Sequence, residues 1–105
     1  YVDGRASLVY GTHTHVPTAD QVILKNGTGY VSDVGMSGCW YSAIGMKWED
    51  VIRKFLTGLP QRFEVEEKED VVFNGILAEI DESSGKCLRI ERVQKYISRE
   101  ELKEL

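Results

Sequence analysis

The chain has 105 residues, 42% of them hydrophobic and 29% charged, with a formal net charge of −4. That is the composition of one small globular domain, and it lacks the clustered lysine and arginine that binding to a nucleic-acid duplex requires. No apolar run approaches the roughly 20 residues of a membrane span, so no membrane partner is expected.

Tyr1-Val2-Asp3-Gly4-Arg5 is polar and charged from the start, unlike a secretory leader, and no initiator methionine precedes it. The opening reads as the interior of a longer protein. Ser7 to Tyr10 is a short apolar run ending at Gly11, a strand whose end carries the next residues. Val16 to Asp20 is a loop, because Pro17 has no backbone N–H to give a central strand. Gln21 to Leu24 and Gly29 to Asp33 flank Lys25-Asn26-Gly27-Thr28, and Asn-Gly between extended runs predicts a hairpin. Val34 to Gly38 is glycine-rich and reads as a loop.

Trp48 to Thr57 is the clearest helix, with Ile52, Phe55 and Leu56 at i, i+3 and i+4. Glu49 and Asp50 open it, Arg53 and Lys54 follow, and Gly58 and Pro60 supply the stop. Beyond it, Arg62 to Val65, Val71 to Ile80 and Cys87 to Val93 read as strands, the last two joined by the polar turn Asp81 to Lys86. Ser98-Arg99-Glu100-Glu101 is a capping-box pattern opening a terminal helix over Leu102 to Leu105. The expected organisation is one domain over 1–97 and a helical tail over 98–105, in the α/β (α+β) class. Cys39 and Cys87 fall outside any C-x-x-C spacing and read as buried free thiols, which fits a reducing, cytoplasmic setting.

The chemistry concentrates at Gly11-Thr12-His13-Thr14-His15, which holds both histidines of the chain. Imidazole is the commonest metal ligand. In an extended segment, residues i and i+2 share a face roughly 6.6–6.8 Å apart, so His13 and His15 could reach one ion, or one each of a close pair. An isolated H-x-H is more often two ordinary surface or hydrogen-bonded histidines. Here it follows an apolar strand and a glycine, and Thr12 and Thr14 bring hydroxyls that can support the ligands. Two histidines do not complete a site, since catalytic zinc alone usually takes three protein ligands. Asp3, Asp20 and Asp33 are the further carboxylates, each read first as a turn or capping residue. Ser37, Ser42 and the cysteines lack a motif that would activate a nucleophile. Trp40, Tyr41 and Trp48 could stack on a base, although aromatics at this density more often serve the core.

The block GTHTHVPTAD at residues 11–20 resembles the last motif of calcineurin-like metallophosphoesterases, Gly-His-x-His, and is nearer to the bacterial YmdB-type branch. Asp3-Gly4-Arg5, Asp33-Val34-Gly35-Met36, and Leu59-Pro60 followed by Arg62 to Val65 resemble that branch too, so the similarity covers about residues 3 to 93. The resemblance implies the C-terminal portion of a four-layer β-sandwich flanked by helices. It further implies a hydrolase with two divalent metal ions about 3.5–4 Å apart activating water, iron or manganese ahead of zinc, acting on a small phosphoester or cyclic nucleotide. His13 and His15 would be metal ligands, one to each ion. The family's earlier blocks, which supply an aspartate, a glutamate, an Asn-His pair and another histidine, have no counterpart here. The expected partner is therefore the missing N-terminal part of the same domain, with a homo-oligomer also open, and the chain alone is expected to be inactive. Two other readings stay open. One is a cupin-type metal enzyme, which would want a glutamate after the pair and another histidine. The other is a non-enzymatic β-rich binding or assembly module with incidental histidines.

Overall fold

In the computed structural model, which describes residues 1–104, the chain is α+β with two three-stranded sheets and two helices. It divides into two compact units, Tyr1–Met36 with Asn74–Gln94, and Ser37–Phe73 with the chain from Lys95 onward.

The first unit is built on β1 (Leu8–Tyr10), β2 (Val22–Ile23) and β3 (Gly29–Val31), in the order β1-β3-β2. β1 runs parallel to β3, pairing Leu8 with Gly29 and Tyr10 with Val31. β2 and β3 form the hairpin that Asn-Gly predicted, with Val22 opposite Tyr30. Gly27 turns at φ 97°, and its N–H donates to the Leu24 carbonyl at 2.9 Å. Asp3 braces this turn by accepting from the N–H of Asn26 at 2.9 Å. Val31 and Thr28 are fully buried. Thr28 can be so because its Oγ1 accepts from the Gly4 N–H at 2.8 Å and donates to the Ala6 carbonyl at 2.5 Å. The Asp81 to Lys86 turn joins this unit through Ser7, whose hydroxyl donates to the Gly85 carbonyl at 2.6 Å. The Cys87 N–H donates to the Gly27 carbonyl at 2.8 Å.

The second unit holds β4 (Gly38–Cys39), α1 (Trp48–Thr57) and the terminal α2 (Arg99–Lys103). β4 pairs antiparallel with the start of β5 (Val71–Ile80), and β6 (Cys87–Ile97) completes the order β4-β5-β6. Cys39 and Cys87 are both buried and free. α1 keeps its predicted limits. Gly58 adopts the left-handed conformation and its N–H closes on the Lys54 carbonyl at 2.9 Å.

Several expectations are corrected. Arg62 to Val65 is not a strand: only Val65 makes an isolated bridge, to Met46. The Lys47 N–H still reaches the Glu64 carbonyl at 2.9 Å, but α1 starts at Trp48 and the pairing goes no further. Gly38, read as the end of a loop, instead opens β4 with Cys39; two residues carry no alternation to detect. β6 runs four residues past Val93, where Gln94 and Lys95 break the alternation, and the Tyr96 ring meets Trp40 edge-on with centroids 5.9 Å apart. α2 begins at Arg99 rather than Leu102, because Ser98 is its N-cap and accepts from the Glu101 N–H at 3.2 Å. The expected end of that helix at Leu105 lies outside the described residues.

The apolar stripe of α1 is also not covered as its periodicity predicts. Phe55 is 89% and Leu56 81% exposed, and no residue of the helix is buried. Phe55→Ser in this chain should therefore shift the free energy of urea unfolding by no more than about 0.5 kcal/mol, as for a surface position. A loss of several times that would show that the ring is buried in solution.

Candidate metal centre

Residues 11–20 leave the end of β1 as an irregular loop rather than as a continuation of the strand. His13 and His15 are therefore not on one face of a strand, and the i, i+2 geometry does not apply. His15 takes a left-handed backbone at φ 66°. Such conformations are uncommon for residues other than glycine, although histidine enters them more readily than most. It turns the chain back sharply, and the N–H of Met36 meets the His15 carbonyl at 3.1 Å. Both histidines are exposed. Among the described residues, neither imidazole is held by a hydrogen bond.

The backbone carrying them is held closely. Gly11 permits the approach to the chain after β3: a Cβ there would fall well inside contact distance of the Ser32 carbonyl oxygen. The Gly11 carbonyl accepts from the Val34 N–H at 2.9 Å. Asp33 is 2% exposed. Its Oδ2 accepts from both the N–H and the Oγ1 of Thr14 at 2.7 Å each, and its Oδ1 from the Gly35 N–H at 2.8 Å. Thr14 thus spends its hydroxyl on Asp33 rather than on an imidazole. Its hydrogen bond, above all, holds the Asp33 carboxyl below the usual aspartate range, against the opposing effect of burial. The Thr18 N–H and hydroxyl oxygen bond the Asp33 carbonyl and N–H, each at 3.0 Å.

Asp20 is engaged similarly at the loop's far end. It accepts from Thr18 Oγ1 at 2.6 Å, from the Ser32 N–H at 3.0 Å and from the Ser32 hydroxyl. The Ser32 and Thr18 hydroxyls lower its pKa to about 2. Because the folded value is depressed, this stabilisation is complete above the unfolded pKa near 3.9 and fades as pH falls through about 2. In urea titrations, the stability advantage of the parent chain over Asp20→Asn should be constant above pH 5 and shrink between about pH 4 and 2. A gap independent of pH would refute this role.

Asp3, Asp20 and Asp33 therefore serve turns and loop anchors. Among the described residues, no three of His, Cys, Asp and Glu converge as a metal site. His13 and His15 fit a metal site as two exposed imidazoles on an anchored loop, a contribution rather than a full ligand set. Ser42 is buried between the Cys39 carbonyl at 2.6 Å and the Gly45 N–H at 2.8 Å, so its hydroxyl braces a turn. The groove beside Tyr41, Trp48 and Ile52 carries Glu49, Glu66 and Glu69, charges that repel a phosphate. The anchoring role of Asp33 was only half legible: Asp followed two residues later by Gly signals an Asx turn, but its partner Thr14 lies 19 residues away.

The two small sheets and the H-x-H loop at a strand end fit a metallophosphoesterase type of α+β fold. The profile of the YmdB-like protein family matches residues 1–93, and the chain belongs to that family. It is 48% identical over 93 residues to a 2',3'-cyclic-nucleotide 2'-phosphodiesterase of Bacillus subtilis (strain 168), covering 89% of this chain and 35% of that protein. The crystal structure of a novel phosphatase of Mycoplasma pneumoniae superposes with a TM-score of 0.86 at 38% identity, covering 97% of this chain and 37% of that one. A hypothetical protein of Thermus thermophilus gives 0.85 at 40% identity, covering 92% and 37%. The chain thus spans about a third of the length of the relatives it matches. No helix among the described residues is long and apolar enough to cross a membrane.

Proposed function

We propose that this chain is the C-terminal part of a metal-dependent phosphodiesterase that hydrolyses small phosphoesters, cyclic nucleotides foremost. The observation that carries the proposal is the pair of exposed imidazoles, without hydrogen bonds among the described residues, on a backbone tied down by a buried aspartate. His13 and His15 would each hold one of two divalent ions, iron or manganese ahead of zinc, whose chemistry when bound is to generate a hydroxide nucleophile and neutralise phosphate charge. This chain's part is to present the two imidazoles from fixed backbone positions and to keep Asp33 and Asp20 occupied elsewhere. The remaining ligands, and the acid for the leaving group, would come from the N-terminal part of the same domain. The two buried thiols favour a reducing compartment, the cytoplasm.

The test compares the full-length protein with the isolated chain. Full-length protein supplied with Mn2+ should open 2',3'-cyclic AMP, lose activity with a chelator and regain it with added Mn2+. The isolated chain should bind Mn2+ weakly and show no turnover. A full-length protein inert toward cyclic nucleotides and simple phosphodiesters under every metal tried would overturn the proposal.

A further inference from the structure

We propose that Asp33 is a positioning residue for the histidine pair, acting through Thr14; the inference rests on the metal-ligand reading of His13 and His15. A carboxylate buried to 2% exposure is costly unless its oxygens are satisfied, and a simple turn could be capped by an exposed serine or asparagine. Here one oxygen of the buried carboxylate is given wholly to the residue between the two histidines. Thr14 gives Asp33 both its N–H and its hydroxyl, so the backbone on which both imidazoles are mounted is fixed at its centre. The other oxygen of Asp33 holds Gly35, at φ 88°. A Cβ on Gly35 would lie 2.8 Å from the Pro17 ring, so the chain after Asp33 closes on the far side of the loop. One residue further, the Met36 N–H holds the His15 carbonyl and with it the left-handed turn. Residues 33–36 form a mould for residues 13–17. Asp3 makes comparable backbone bonds, but to Asn26 and Thr28, away from the histidines.

The test uses the full-length protein, with Mn2+ affinity read by calorimetry and Thr14 amide exchange read without metal. Asp33→Asn keeps one acceptor oxygen and sets an amide donor against either the Thr14 donors or the Gly35 N–H, so one side of the mould is lost. It should weaken Mn2+ binding about 10–100-fold, as loss of a group that orients a ligand does, and accelerate Thr14 exchange. Asp3→Asn, which loosens the other turn, should lower thermal stability yet leave Mn2+ affinity within about twofold. Should Asp33→Asn fail to fold, Thr14→Val and Thr14→Ser carry the test. The serine variant, which keeps the hydroxyl, should bind Mn2+ as the parent does, and the valine variant several-fold more weakly. Parental affinity in Asp33→Asn, equal affinity in the two Thr14 variants, or equal losses in Asp33→Asn and Asp3→Asn would each overturn the inference. Unchanged Mn2+ binding after alanine replacement of both histidines would overturn the metal reading and this inference with it. Metal loss in that double variant beside parental affinity in Asp33→Asn would overturn this inference alone.

Discussion

His13→Ala and His15→Ala in the full-length protein should each lower turnover of a cyclic nucleotide by more than about 100-fold, because even groups that only orient a ligand are worth 10–100-fold. Metal content measured by mass spectrometry should fall by one equivalent per replacement, if each imidazole serves its own ion. The fold should barely respond. Both side chains are exposed and, among the described residues, without hydrogen bonds, so each replacement should cost no more than about 1 kcal/mol. The larger part of that small cost should fall on His15, where alanine must take over a backbone at φ 66° that it enters less readily than histidine. This dissociation of chemistry from stability separates ligands from incidental surface histidines. Parental activity and metal content in both variants would favour a non-enzymatic module. A loss of one ion from His13→Ala and none from His15→Ala would show that the pair does not divide between two metals.

What the sequence disclosed about this site follows from the range of the interactions involved. The β2–β3 hairpin and α1 were legible because their determinants are local: Asn26-Gly27 sets one, and the spacing of Ile52, Phe55 and Leu56 with Gly58 sets the other. β4 and the lone Val65 bridge were not, since each depends on a partner supplied by distant chain. The same division runs through the loop. The histidines were visible as residue types at a spacing, and the family motif placed them in order. Their backbone geometry was misjudged, because an extended H-x-H looks adequate until Asp33 and Met36 are known to hold the loop from 19 and 21 residues away. The apolar stripe of α1 marks the opposite limit. Periodicity reports that a face is apolar, and it does not report what covers it.

Gly11→Ala should be strongly destabilising for a single added methyl group. Gly11 does not need its freedom for an unusual turn, since its φ is not among the positive ones. It needs the absence of a side chain, because a Cβ would overlap the Ser32 carbonyl oxygen, a backbone atom that cannot swing aside. Relief requires the end of β1 and the chain after β3 to separate, which strains the Val34 N–H bond to Gly11 and, next to it, the Thr14 contacts of Asp33. Overpacking typically costs about 1–3 kcal/mol, and a backbone obstacle puts this case at the upper end. For a chain of this size that is a fall in Tm of roughly 10–20 °C. Gly38→Ala is the matched control: the added Cβ meets nothing within 4 Å, so unfolding should shift by no more than about 0.5 kcal/mol. Urea unfolding of the two variants reads the difference directly, and equal behaviour would show that Gly11 does not lie against Ser32. In the full-length protein the comparison extends to function. Gly11→Ala should lose Mn2+ affinity along with stability, because the strand separation it forces lies two residues from His13, whereas Gly38→Ala should keep both. A Gly11→Ala protein that is destabilised yet binds Mn2+ as the parent does would mean that the histidine loop holds its shape without its root in the sheet.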